Sequence, residues 1–222
     1  MAKAFLFALC CLDVTTTIIG GRIMLEQATQ IAFPVGYKVR LRPLTVEDAP
    51  ACMSWMNNPL VTKFLKRQQL ISLAEERAWI EGLAGRQDSI TLGMETLGDE
   101  PKLIGSIGLH HINFQHGTAG TGTVIGLPEF WGKGYGTDAK MLLLHNAFVQ
   151  MGLRKVRSSV YDFNAGSLAY ARTCGYEEEG RLIQDLWKNG RLVDKVLLAV
   201  FRDQWLPLWD RYCATGSTKL AS

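Results

Sequence analysis

The stretch GLPEFWGKGYGTDAKMLLL, residues 126–144, places three glycines at alternate positions, Gly132, Gly134 and Gly136, directly ahead of an apolar, helix-like run. Glycine lacks Cβ and reaches backbone conformations closed to other residues, so this spacing lets successive N–H groups converge at the positive end of a helix. A phosphate is the natural ligand of such a loop. A Walker loop is excluded, because Gly132-Lys133 is followed by Gly134 and not by the Ser or Thr that would hold Mg2+. A dinucleotide fingerprint fits poorly, since it needs Gly or Ala at Thr137 and an acidic residue ending a strand about 20 residues on, where this chain has Val160-Tyr161.

The flanking pattern sets the fold class. YKVRLRPL alternates apolar Val39 and Leu41 with Lys38, Arg40 and Arg42, the period of a half-buried strand closed by Pro43. TVEDAPACMSWMNN predicts a helix capped at Thr45 and stopped at Asn58-Pro59, and Ser72 with Glu75 predicts a capping box for a second helix. SITLGMET, KLIGSIGLHHI and TGTVIGL read as an antiparallel meander. A helix from about Gly136 to Met151, apolar on more than one side, ends at Gly152. LRKVRSSVY is a strand, NAGSLAYARTCGY a helix capped by Asn164 and stopped at Gly175, and Asn189-Gly190 the turn of a terminal hairpin. The order predicts an α+β (α/β/α) fold, a mixed and mostly antiparallel sheet with helices on both faces.

Composition removes several function classes. Apolar residues are 47% and charged residues 20%, enough to bury one sizeable core and too apolar for disorder. A net charge of +3 spread along the chain gives no nucleic-acid footprint. The five cysteines and four histidines show no metal-ligand spacing and no disulfide framework, so no metal is expected and a reducing, cytoplasmic setting fits. The apolar run Ala4–Leu12 behind Lys3 lacks a cleavage site, and Asp13 interrupts it before the ~18 residues of a membrane span, so no membrane association is expected. The first 23 residues are expected to lie outside the fold, as an extension or because translation starts at Met24.

Four blocks in order, VRLRPLTVEDA, FWGKGYGTDA, NAGSLAYARTCGY and NGRLVDKVLLAVFRDQW, resemble the GCN5-related N-acetyltransferase (GNAT) superfamily over about residues 37–205. Its signature [Gln/Arg]-x-x-Gly-x-[Gly/Ala] is matched at Gly134 and Gly136, while Trp131 stands at the first position, as in the RimJ/RimL-type branch. The resemblance divides the chain into an extension (1–35), an N-acetyltransferase domain (36–210) and a tail (211–222). It implies a six- or seven-stranded sheet splayed between its fourth and fifth strands, with acetyl-CoA wedged in the opening. Val124, Ile125 and Leu127 would pair with the pantetheine arm. The N–H groups of Trp131, Gly132, Lys133, Gly134, Tyr135, Gly136 and Thr137 would hold the pyrophosphate, Lys133 would add charge, and Asn164 would contact the pantetheine besides capping its helix.

The implied reaction is direct transfer of an acetyl group from a thioester to a primary amine, on a protein N-terminus or a small molecule, antibiotics and polyamines included. Backbone donors on the fourth strand would stabilise the oxyanion, an effect worth ~3 kcal/mol. A base for an amine of pKa ~10 contributes ~100-fold or more, but the strand TVIGL carries no carboxylate. The titratable candidates nearby are His110, His111 and Glu129, and adjacent strand residues face opposite sides, so one histidine should enter the cleft. His111 is taken as the catalytic candidate. The family's thiolate-protonating Tyr position is Ala171 here, leaving Tyr170 and Ser167 as candidates for the thiol. The acceptor pocket is expected around Trp55, Phe64, Trp79 and Trp187. A homodimer is compatible with family habit, and the alternative to an enzyme is a non-catalytic acyl-CoA-binding module.

Overall fold

The computed structural model describes residues 34–66, 69–188 and 190–218, together with the backbone of two short strands, β1 (Thr17–Ile19) and β2 (Arg22–Met24). The chain divides into Met1–Phe33 and Pro34–Ser222. In the first unit β1 and β2 pair antiparallel, and the expectation for residues 1–23 otherwise falls outside the described residues.

The second unit is built on a seven-stranded sheet of β3 (Val39–Pro43), β4 (Ile90–Thr96), β5 (Leu103–Asn113), β6 (Thr118–Ile125), β7 (Lys155–Tyr161), β8 (Glu177–Lys188) and β9 (Arg191–Phe201). The spatial order is β3-β4-β5-β6-β7-β9-β8, and every pair is antiparallel except β6 with β7. That parallel pair is connected by a helix, as parallel neighbours require. Its ladder is short, from Thr118↔Lys155 to Gly120↔Arg157. Beyond Gly120 the two strands part, and the sheet opens between its fourth and fifth members.

Alternation along the central strands feeds two cores. Ile104 and Met94 are buried in the larger cluster with Leu143, Leu144, Phe148 and Val196. Leu103 packs instead with Ala49, Cys52, Trp55 and Ile80. Helices α1 (Ala49–Met56), α2 (Pro59–Thr62) and α3 (Leu73–Glu81) thus cover one face, while α4 (Tyr135–His145), α5 (Ala165–Thr173) and α6 (Arg202–Thr215) cover the other. The capping box appears at α3, where the Ser72 N–H donates to Glu75 and the Glu75 N–H to Ser72 Oγ. Pro59 does not merely stop a helix; it opens α2 behind the Asn58 cap, whose Oδ1 accepts from the Leu60 N–H at 3.0 Å.

Two boundaries differ from the sequence reading. α4 passes into a single π-helical turn, Asn146–Gln150, before Gly152 takes φ +67°. At the other end, α6 runs to Thr215 across the boundary expected at 210 and buries Trp205 and Tyr212. Pro207 inside this helix and its aromatic residues disguised it as the end of a strand.

Candidate active site

The glycine loop enters α4 with a left-handed backbone at two places, φ +69° at Gly132 and φ +86° at Gly134, the helix N-cap. A Cβ at Gly132 would meet nothing within 4 Å, so the requirement there is conformational. Gly136 is different: it lies within the helix, where a Cβ would come 3.3 Å from Ile125 and 3.4 Å from the Tyr170 ring. The first turn of α4 leaves the N–H groups of Tyr135, Gly136 and Thr137 without intrahelical acceptors, whereas Trp131 is already engaged. Its N–H donates to Pro128 O, and its indole N–H donates to Ile125 O at 2.8 Å. Trp131 therefore pins the loop to the end of β6, with both of its N–H groups bonded within the protein. Lys133 is exposed on the loop.

Between β6 and β7 lies a cleft of about 740 Å3, walled by Thr121–Val124, Ser158–Tyr161, Asn164, Ser167 and Tyr170. The β5–β6 ladder decides which backbone groups face it. The Gly126 N–H donates to Ile104 O, so by antiparallel alternation Val124 also spends its backbone groups on β5, and Thr123 and Ile125 turn theirs toward the cleft. Of the three expected pantetheine partners, Ile125 keeps a free-facing N–H, Val124 does not, and Leu127 lies beyond the strand with its carbonyl accepting from Phe130. Asn164 caps α5, its Oδ1 accepting from the Ser167 N–H at 3.1 Å. Its amide NH2 is the group left for a ligand.

The histidines are sorted by a bulge. β5 loses register with β6 between His110 and Asn113, and His111 takes φ +50° there, which breaks strict strand alternation. The His111 side chain is 86% exposed and 4.0 Å from Asp88. His110 is the residue on the cleft rim, lying over Gly120, where a Cβ would fall 2.2 Å from its Cε1. Partial desolvation, with His111 beside it, lowers the His110 pKa and favours its neutral form. Of the expected acceptor aromatics, Phe64 and Trp79 line the cleft, Trp55 is core against Gly126, and Trp187 is 68% exposed on β8.

On the α4 side, the cleft wall is polar where packing would predict hydrocarbon. Tyr170 Oη and Thr123 Oγ1 lie 3.0 Å apart. One step toward the closed end, Lys140 Nζ donates to Thr121 Oγ1 at 2.7 Å, and Thr121 Oγ1 donates to Gly108 O at 2.8 Å. Lys140 is 3% exposed, and desolvation lowers its pKa to about 7. Burial pushes the Tyr170 phenol well above 10 and the Cys174 thiol up to about 12.

The Acetyltransferase (GNAT) domain family matches residues 38–177, well over half of the chain. The chain belongs to the GNAT acetyltransferase family. It is 27% identical to the uncharacterized N-acetyltransferase YoaA of Bacillus subtilis (strain 168), over 73% of this chain and 92% of that protein. It is 25% identical to the spermidine N(1)-acetyltransferase of Escherichia coli (strain K12), over 78% and 91%. Among solved structures, Vibrio cholerae spermidine N-acetyltransferase in complex with CoA and spermine superposes with a TM-score of 0.70, at 24% identity, covering 76% of this chain and 98% of that one. The seven-stranded, mostly antiparallel sheet is the GNAT fold, and this GNAT acetyltransferase carries no group of three or more metal-ligating side chains among the described residues.

Lys140 and Asp138 escaped the sequence reading. A signal existed: TDAKMLLL is so apolar around them that a helix buried on several faces must bury Asp138 or Lys140 too. Asp138 is 3% exposed and accepts from the backbone N–H groups of Tyr37, Lys38 and Val39 at 2.9–3.0 Å and from Tyr212 Oη at 2.5 Å. It fastens the start of β3 and α6 to the first turn of α4.

Proposed function

We propose that this chain transfers the acetyl group of acetyl-CoA to a primary amine by direct attack, within the parted strands β6 and β7. The observation that carries the reading is that the strands separate just after Gly120↔Arg157, opening a cleft along the inward side of β6, the strand that leads into the left-handed glycine loop. In this reading the N–H groups from Gly132 to Thr137 hold the pyrophosphate, Asn164 and the inward N–H groups of Thr123 and Ile125 hold the pantetheine, and one of those N–H groups faces the developing oxyanion. Ser167 and Tyr170 flank the thiol, and His110 takes the rim position expected of His111.

The acceptor is a monoamine, either a small molecule or a peptide N-terminus, and not a polyamine. Among the described residues, the charged side chains lining the cleft besides Lys140 are Lys66, Arg86, Lys195 and Asp185, and Asp185 is 3.7 Å from Lys195. Such a lining repels a polycation. The EFWGKGYGTDA block supports placement in the RimJ/RimL-type branch, which keeps peptide N-termini in the acceptor panel. The test is thiol release from acetyl-CoA with free-N-terminal peptides, amino acids, simple monoamines and spermidine. Turnover with a neutral or anionic monoamine above that with spermidine is expected. Preference for spermidine would overturn the acceptor class, and failure to bind CoA in calorimetry would overturn the whole reading.

A further inference from the structure

Lys140 occupies a position that structure alone does not justify. Its Nζ has one hydrogen-bond partner, Thr121 Oγ1, and among the described residues no carboxylate lies in salt-bridge range. A buried ammonium held for stability would be expected to have a counter-charge and several acceptors. The nearest aromatic neighbours, the rings of Tyr170 and Tyr176, are each 5.8 Å from Nζ. Thr121 is the first β6 residue past the last β6–β7 pair, and Thr123, which holds Tyr170 Oη, is the next to turn its backbone inward. The amine therefore stands at the closed end of the channel, beside the wall where a thioester laid along β6 would end.

Given the acetyl-transfer reading above, we propose that Lys140 carries the proton of the reaction, accepting it from the attacking nitrogen and delivering it to the departing sulfur. The balance is counted from the neutral amine, the ammonium form having released its extra proton to solvent on binding. A C–N bond forms, the C–S bond breaks, the nitrogen gives up one proton and the thiolate gains one, so a single group that ends as it began is sufficient and no co-reactant is needed. Thr121 orients Nζ, its own proton being committed to Gly108 O. The acid strengths have the right order. An amine near 7 is largely neutral at physiological pH and can receive a proton, and its conjugate acid is stronger than a thiol of pKa ~8.5, so delivery to sulfur is downhill. Tyr170, pushed well above 10, would deliver its proton uphill.

The groups facing Lys140 from neighbouring elements are His110 on β5, Tyr170 on α5, Cys174 at the C-cap of α5, and Tyr176 ahead of β8. Burial holds the last three in their neutral forms, and His110, whose pKa burial lowers from the ordinary imidazole value, is the other group whose titration the experiment must separate. The experiment compares the full-length wild type with Lys140→Met, Lys140→Arg and His110→Gln. Calorimetric CoA binding, the pH profile of kcat with the best amine, and NMR titration of 13C-labelled lysine in the free protein are measured. The lysine resonance missing in Lys140→Met should titrate near neutrality. Both Lys140 variants should lose ~100-fold in kcat with the KM for acetyl-CoA within about threefold, and Lys140→Met should lack an acidic limb that His110→Gln retains. Either Lys140 variant keeping kcat within threefold, the limb vanishing only in His110→Gln, or a resonance titrating above pH 10 would overturn the proposal. If wild type fails to bind CoA, the acetyl-transfer reading falls and takes this inference with it; CoA binding with unchanged Lys140 variants overturns this inference alone.

Discussion

Replacing Lys140 with Met should stabilise the protein, and the gain should depend on pH in one direction. Burial lowers the Lys140 pKa to about 7 in the fold against 10.5 in the unfolded chain, a separation of about 3.5 pH units. At about 1.4 kcal/mol per unit this amounts to a cost of about 5 kcal/mol whenever the unfolded lysine is charged and the folded one must be neutral or buried as an ion. The sign follows from proton counting. Between pH 7 and 10.5 the unfolded chain binds more protons at this site than the native one, so wild-type stability rises with pH across that window. Below pH 7 the full penalty is present. Met removes the titration and keeps an unbranched chain in the space, so the difference between variant and wild type isolates this one group. Urea unfolding at half-unit steps from pH 7 to 9.5 should show the variant more stable by several kcal/mol at pH 7. The gap should close by about 1.4 kcal/mol per pH unit. A gap that stays flat over this range would mean that Lys140 is charged in the fold, and would refute the argument.

Asp138→Asn should cost about 3–5 kcal/mol, read as a fall in thermal midpoint, because a neutral amide cannot accept from three backbone N–H groups and Tyr212 Oη together. Gly134→Val forces a β-branched residue to φ +86°, and should weaken CoA binding in calorimetry at least ~10-fold while far-UV circular dichroism is unchanged. His111→Ala should leave kcat within about twofold and His110→Ala should lower it ~10-fold, measured by thiol release at pH 8. Trp131→Phe removes the indole bond to Ile125 O and should raise the KM for acetyl-CoA with little change in kcat, the signature of a loosened loop.

The parts of the site visible in the sequence are those that depend on local backbone chemistry. Gly132 and Gly134 announce a left-handed path, Asn164 announces a cap, and Ser72 with Glu75 a helix start, because each requirement is met within four residues of itself. His110 and His111 show where such reading stops. Period-two alternation assigns one of them to the cleft without saying which, and the bulge beside His111 that decides it is set by cross-strand register. α6 was hidden for a similar reason, since its helix is stabilised by Trp205 and Tyr212 packing into the core and not by a favourable local sequence around Pro207. Which of Val124 and Ile125 turns its backbone inward is likewise set by the residues that β5 takes.

The two charges buried on α4 sharpen this point. Asp138 and Lys140 are two residues apart, about 200° around the helix, so one faces the β3–α6 side and the other the β6–α5 side. Both are 3% exposed, and the apolar run around them signals burial without distinguishing their roles. Their hydrogen bonding separates them. Asp138 accepts from four donors and so offsets its desolvation, which is the behaviour of an anchor. Lys140, with a single hydroxyl partner and no anion among the described residues, remains a net cost to the fold. Opposite stability effects of the two neutralising substitutions, a loss at Asp138 and a gain at Lys140, would therefore distinguish a structural charge from one whose expense is retained at the wall of the reaction channel.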